Sequence, residues 1–284
     1  PLFMIAGSLM DRGGISRRLI HLASNIVGNV TGGLALVAVL ACMFFAAISG
    51  SAPATVVAIG SIMVPAMIKA GYDKDFALGL MAAAGCIGVI IPPSIPFVTY
   101  GITMNASIGK LFMAGVVPGI IMGLSLMVLC YIIAKKRGYK GTVKPTMEGF
   151  IAAFKESIWG LMMPIIILGG IYGGIFTPTE AATVACVYSL LVGVFIHKEL
   201  TYRETVKSFS EAGVTSAMVM LIISTATAMG WIMTTEQIPI KVATAMSSIA
   251  NTPEMLLLLI NIILLITGCL MELNAAIIIL GPIF

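Results

Sequence analysis

Charge is the scarcest commodity in this 284-residue sequence: 10% of its residues are Asp, Glu, Lys or Arg, against roughly 25% in an average soluble domain. Trp and Tyr are few as well, at 2 and 7, so aromatic belts are a weak guide to membrane boundaries. The 5 cysteines fall one each in separate apolar stretches, and no two share a CxxC or metal-ligand spacing. They read as small buried apolar residues rather than redox or metal groups. A Walker-type GxxxxGK[ST] is missing, so energy has to come from an ion gradient or a partner. What fills the sequence instead is apolar: 59% is hydrophobic, with 30 Gly and 20 Met, and the mean hydropathy is +1.09. A soluble globule has no room to hide that much apolar surface, and a disordered chain has the opposite composition. The class that remains is an all-α polytopic membrane protein. Pro1 opens in mid-run and AAIIILGPIF closes without a loop, which reads as an internal fragment of a longer chain.

Charge-free intervals locate the membrane segments. Residues 111–134, 157–176, 179–197 and about 205–232 are long enough to cross as simple helices, which need about 20 apolar residues. Two places behave differently. In 34–68 the arms 34–48 and 54–68 flank a small polar stretch, Ser49-Gly50-Ser51-Ala52-Pro53. Each arm reaches only about 22 Å at 1.5 Å per residue, so a re-entrant hairpin with its tip at mid-membrane is expected. In 76–109 the stretch GCIGVIIPPSIPFVTYG places Pro92, Pro93 and Pro96 within five residues. They remove backbone donors, and Pro93 pushes Pro92 out of the helical region, so the helix has to open. Open backbone at membrane depth is tolerated only inside protein or along a polar cavity.

Charge orients the segments. Fourteen of the 16 Lys and Arg residues fall on one side, from Arg12, Arg17 and Arg18 through Lys69, Lys74 and the 135–156 loop, including Lys144, to Lys198, Arg203 and Lys207. Only Lys110 and Lys241 fall on the other. The positive-inside rule makes 135–156 a cytoplasmic loop and 233–254 external. Residues 16–29 form a weakly amphipathic helix along the cytoplasmic interface.

An internal repeat follows from aligning Gly60 with Gly281. ATVVAIGSIM (54–63) then falls on AAIIILGPIF (275–284), and the tip 49–53 falls on Leu270–Asn274. Upstream, PLFMIAG (1–7) matches PIIILGG (164–170), and Gly13-Gly14-Ile15 matches Gly173-Gly174-Ile175. The second hairpin starts from the external side, so the copies are inverted: 1–134 is the first repeat and 157–284 the second, truncated in its hairpin at 255–284. Inverted repeats with broken helices are the mark of secondary transporters.

Several stretches resemble one family: PLFMIAGSLMDRGGISRRL (1–19), FFAAISGSAPATVVAIGSIMVPAMIKAGYDKDFA (44–77), GCIGVIIPPSIPFVTYG (85–101), KLFMAGVVPGIIMG (110–123) and GGIYGGIFTPTEAATVACVY (169–188). They are similar to the large, DctM-type membrane subunit of tripartite ATP-independent periplasmic (TRAP) transporters. The resemblance implies an elevator-type carrier in a bacterial or archaeal inner membrane, driven by a sodium gradient. It also implies a small membrane subunit and a periplasmic solute-binding protein as partners, and a carboxylate as solute: a C4-dicarboxylate, sialic acid or a related organic acid. No enzymatic activity, nucleic-acid partner or cofactor beyond sodium as coupling ion is expected. A symporter or antiporter of the same architecture, working without a binding protein, is the alternative. An intramembrane serine protease using Ser49 or Ser51 would need a base that no membrane segment offers.

Candidate binding residues are Ser49, Gly50 and Ser51 at the tip, and Gly88, Pro92, Pro93 and Ser94 at the break. Their freed carbonyls and hydroxyls are the oxygens a hard cation wants, with Ser49, Ser51 and Ser94 as hydroxyl ligands of sodium. The alternative is that these small residues merely let helices pack closely. Glu272 is the only charge beyond Glu254; an ionisable group in a membrane segment is a functional candidate, and Asn274 lies beside it. Thr177-Pro178-Thr179-Glu180 reads instead as a helix-capping box. Asp11 and Arg12 beside Gly13-Gly14 are read as serving the cytoplasmic boundary.

Overall fold

The computed structural model describes residues 1–141, 146–250 and 252–283; Lys144, in the loop expected to be cytoplasmic, and Phe284, in the expected second hairpin, lie outside them. The described chain is all helical. In order it forms α1 (Leu2–Arg12), α2 (Ile15–Val27), α3 (Gly33–Ser49), α4 (Ala52–Lys69), α5 (Lys74–Gly85), α6 (Ile95–Thr103), α7 (Ile108–Arg137) and α8 (Met147–Tyr172). It continues with α9 (Pro178–Leu191), α10 (Tyr202–Thr235), α11 (Ile238–Ile249), α12 (Pro253–Leu270) and α13 (Leu273–Leu280). A 3₁₀ turn, Cys86–Val89, follows α5, and a π-helical turn, Val192–Ile196, extends α9. Among the described residues, six helices are long and apolar enough to cross a membrane: α4, α7, α8, α9 with its π turn, α10 and α12. The chain is thus a multi-pass, all-α membrane protein.

Several boundaries differ from those expected. α8 starts at Met147, ten residues before 157, because Thr146 caps it by accepting a hydrogen bond from the Gly149 N–H at 3.1 Å. It stops at Tyr172, where Gly173 and a left-handed Gly174 (φ 69°) end the helix. The arms of the first hairpin are longer than 34–48 and 54–68, and the turn shrinks to Gly50-Ser51. Pro53, expected in the turn, lies in the first turn of α4, where its missing N–H has no intrahelical partner to lose. At 18 residues, α4 is about 27 Å long. Short arms therefore no longer argue for re-entrance.

The chain divides into two compact units. The first comprises Pro1–Ile95 and Gly109–Ala212. Its centre is α3, whose GLALVAVLACMFFAAIS is apolar all round and buried on every face, from Ala35 through Val39 and Cys42 to Ile48. A helix of this kind belongs in a core, and its alanines let α2, α4 and α5 approach closely. α2 buries the stripe Ile15, Ser16, Leu19, Leu22 and Ala23. Its Arg18 pairs with Glu199 at 2.7 Å, while Arg12 of α1 pairs with Glu204 and, at 2.6 Å, with Glu211, both on the first turns of α10. The second unit comprises Pro96–Ile108 and the chain from Gly213 onward. Within it, Asn274 and Ile278 of α13 are buried.

Candidate functional site

The first hairpin turns on one glycine. Gly50 ends α3 at φ 61°, ψ 18°, and its N–H donates to the Ala46 carbonyl at 3.1 Å. A Cβ there would lie 2.4 Å from the Pro93 carbonyl oxygen, in addition to the penalty L-residues meet in left-handed backbone. Ser51 is extended and caps α4, its Oγ accepting from the Ala54 N–H at 3.5 Å. Its carbonyl accepts from both the N–H and the hydroxyl of Thr55, at 3.1 and 2.8 Å. With its own proton given to that carbonyl, Thr55 Oγ1 accepts from Ser49 Oγ at 3.0 Å. Ser49 Oγ in turn accepts, at 3.4 Å, from the Ser51 N–H.

The proline break seats on this tip. After the 3₁₀ turn the backbone leaves the helix at Ile90 and re-enters it at Ile95, with a cis bond between Pro92 and Pro93. Pro92, Pro93 and Ser94 are all buried. Ser94 Oγ donates to the Val89 carbonyl at 2.6 Å, which stitches the open segment to itself. The Ile95 N–H donates to the Gly50 carbonyl at 3.1 Å, stitching it to the tip. From the other side, a Cβ on Gly88 would lie 2.5 Å from Thr55 Oγ1 and 2.8 Å from the Ser51 carbonyl oxygen. The structure therefore brings Ser49, Gly50, Ser51, Gly88, Pro93 and Ser94 into one cluster, with Pro92 in its buried break. Thr55, fully buried, is the residue that sequence reasoning missed. Its signal was a hydroxyl one helical turn after the capping serine.

This cluster is rich in oxygen and carries no charged side chain. Hydroxyls that donate in these bonds keep lone pairs, as do the carbonyls. Among the described residues, no three His, Cys, Asp or Glu side chains gather as a metal site, so a cation held here rests on neutral oxygens. The carbonyl end of α3 directs partial negative charge to the tip, and the amide end of α4 directs partial positive charge to it. Cation and anion chemistry are both available within one turn of chain.

Glu272 and Asn274 belong to the second unit and form a separate group. Glu272 caps α13: Oε2 accepts from the N–H groups of Asn274 and Ala275 at 2.9 and 3.2 Å, and Oε1 from Asn274 Nδ2 at 2.9 Å. The buried Asn274 accepts at Oδ1 from Thr99 Oγ1 at 3.2 Å. Thr99 was also missed; it is a hydroxyl in the apolar helix just beyond the prolines. A cavity of about 530 Å³ in the same unit has Ile102, Thr103, Met233 and Ile278 in its lining. Among the described residues its lining is apolar apart from the Thr103 and Thr227 hydroxyls.

Glu180 has the expected capping role: the Thr177 N–H donates to its Oε2 at 2.7 Å, and Thr177 Oγ1 accepts from its N–H at 3.3 Å. At the other end of α9, the corner Gly13-Gly14 carries a polar cluster. His197 Nδ1 lies 2.9 Å from the Gly13 carbonyl oxygen, so it is the protonated nitrogen, and Nε2 is buried with no hydrogen-bond partner among the described residues. Burial, and then the charge on Arg18, hold the His197 imidazole below its usual range, against the Gly13 bond and Glu199. Ser16 donates to Asp11, whose carboxyl is pushed up by burial against that bond and Arg12.

Against known proteins, residues 1–284 match the family described as "Tripartite ATP-independent periplasmic transporter, DctM component". The isethionate TRAP transporter permease protein DctMQ of Oleidesulfovibrio alaskensis is 52% identical over 284 residues, covering 100% of this chain and 45% of that protein. The C4-dicarboxylate TRAP transporter large permease protein DctM of Pseudomonas aeruginosa is 46% identical, covering 100% and 66%. The sialic acid TRAP transporter permease protein SiaT of Haemophilus influenzae is 41% identical, covering 96% and 44%. The chain thus spans less than two thirds of the length of each of these three relatives.

Proposed function

Because the chain belongs to the family of DctM components of tripartite ATP-independent periplasmic transporters, we propose that it is the core of a large permease subunit that takes up an organic acid anion on a sodium gradient. The solute arrives on a periplasmic binding protein, and a small membrane subunit completes the assembly in a bacterial or archaeal inner membrane. The relatives' names give the solute class: isethionate, C4-dicarboxylates and sialic acid are all organic acids. A carboxylate is the first choice.

The observation that carries this reading is the seating of the Gly50-Ser51 tip on the Pro92-Pro93-Ser94 break. Sodium is a transported ion here, held by the hydroxyls of Ser49, Ser51 and Ser94, joined by Thr55 and by freed carbonyls. Helix ends that meet at an oxygen-lined cluster bind ions and anionic groups without a buried countercharge. The inverted repeat supports it as well. Under the alignment of Gly60 with Gly281, the ends of α3 and α12 coincide, as do the starts of α4 and α13 and the caps Ser51 and Glu272. Gly14 and Gly174, matched upstream, share a left-handed backbone. Elevator motion, a re-entrant first hairpin and the cytoplasmic placement of α2 and of 135–156 complete the proposal.

The test is uptake of a C4-dicarboxylate, sialic acid and isethionate by proteoliposomes holding the full-length permease with its partners. It is run with and without a sodium gradient, and with and without the binding protein. Ser51→Leu fills the tip with a bulky apolar group; it should abolish sodium-dependent uptake while the protein still inserts. Wild-type uptake in that variant, with unchanged sodium dependence, would refute the site.

A further inference from the structure

The chain passes from one compact unit to the other between Ile95 and Pro96. The two halves of the broken helix therefore serve different hairpins. The half before the break packs Gly88 on the first tip, and α6, after it, reaches the second tip through Thr99.

We propose that Thr99 is the positioning residue of the second tip, holding Asn274, and through it Glu272, in the arrangement with which that tip takes its ion or solute group. The proposal rests on the transport reading above.

Between α12 and α13 two consecutive residues, Met271 and Glu272, are extended. They leave the carbonyl end of one helix and the amide end of the other facing the turn. Such a turn is as rigid as the side chains that hold it. The bonds run in one direction: the Thr99 hydroxyl donates to Asn274 Oδ1, and Asn274 Nδ2 donates to Glu272 Oε1. The amide can serve both partners in one orientation only, since a carboxylate accepts and never donates. The carboxylate thus fixes which way the Asn274 amide faces, and the Thr99 hydroxyl, donating to Oδ1, anchors the amide in that orientation. Asn274 and Thr99 are both buried, so loss of the hydroxyl would strand an acceptor away from water, which costs more than the bond itself contributes. Thr103, one turn further along α6, does not share this role. Its hydroxyl donates at 2.8 Å to the Thr99 carbonyl, back onto its own helix.

The test uses Thr99→Val, which keeps the shape and removes the hydroxyl, and Thr99→Ser, which restores it, in the full-length assembled transporter. Two readouts are taken. Hydrogen exchange over 271–276 should speed up about fivefold in Thr99→Val, the equivalent of one hydrogen bond, and return in Thr99→Ser. The sodium or solute concentration for half-maximal uptake should rise by a similar factor, with maximal rate less affected, and also return in Thr99→Ser. Unchanged exchange in Thr99→Val would overturn the proposal. So would faster exchange with unaltered sodium and solute dependence, because Thr99 would then be merely structural. Failure of the transport reading would show in the wild type alone, as uptake indifferent to sodium and to every solute offered; the exchange readout would still decide whether Thr99 holds the tip.

Discussion

In the first hairpin α3 stops at Ser49 and α4 starts at Ala52; in the second α12 stops at Leu270 and α13 starts at Leu273. Both turns have two residues, and in both the second residue is extended and caps the following helix through its side chain. The first residue differs. Gly50 is left-handed and presses its backbone against Pro93, whereas Met271 is extended. The caps differ too, a neutral hydroxyl against a carboxylate. So do the leading arms: α3 is buried all round, and α12 buries none of its residues. The turn's length is therefore set where one helix can end and the next can be capped. What the tip rests on is set separately, by bare backbone in the first hairpin and by the side chains of Asn274 and Thr99 in the second.

That contrast can be broken at three strengths. Gly50→Val should be the most damaging change. A β-branched residue in left-handed backbone and a new atom against the Pro93 carbonyl together cost about 3 kcal/mol or more. The full-length permease should melt much earlier or fail to accumulate, whereas Met271→Val, in extended backbone, should stay within about 1 kcal/mol. Equal losses at the two positions would erase the distinction. Next, Glu272→Ala should cost about 1 kcal/mol, as caps do, and Glu272→Gln should retain most of that stability. If Glu272→Gln melts normally yet loses uptake, the charge itself has a role that capping does not explain.

The smallest effect concerns the other matched pair of turns. The corner at Gly14 is ringed by Arg18, Glu199 and His197, while a Cβ on Gly174 would meet nothing within 4 Å. With its folded-state pKa depressed, His197 contributes stability above its unfolded pKa of about 6.5 and loses it as the pH falls through that value toward the folded one. The Asp11 carboxyl, raised, works the other way, being most favourable below its unfolded pKa. His197→Gln should therefore flatten the fall in melting temperature between roughly pH 7 and pH 5. An unchanged slope would show that other groups set it.

Much of this was legible in the residues. Long charge-free intervals gave the spans, and Pro92-Pro93 gave the break, because neither lipid nor a helix forgives the alternative. Thr177-Pro178-Thr179-Glu180 gave its cap because the bonds are local. The tip could be placed at Gly50-Ser51 only to within a turn, since Pro53 suits a turn and a helix start equally. Thr55 and Thr99 stayed hidden for another reason. A threonine in an apolar helix more often bonds its own backbone, as Thr103 does, and only three-dimensional packing reveals which one reaches across. Glu272 looked like a lone charge in a membrane segment and is also a cap, a role that depends on where α13 begins.

The π-helical turn Val192–Ile196 holds one residue more than an α-helix of the same reach. Its last carbonyl-to-amide link, His197 N–H to Val192 carbonyl, brings His197 onto Gly13 and Glu199 onto Arg18. One residue fewer would rotate everything downstream by about 100° and carry both side chains off their partners. The number of residues in 192–196 is thus under constraint even where the identities of the exposed Val194, Phe195 and Ile196 are exchangeable for other apolar ones; Gly193 is not, since a Cβ there would lie 3.1 Å from Leu200 Cβ. Related chains that keep the Gly13–His197 and Arg18–Glu199 pairs should tolerate substitutions at 194–196 and exclude insertions and deletions across 192–196, which an alignment of such chains would check.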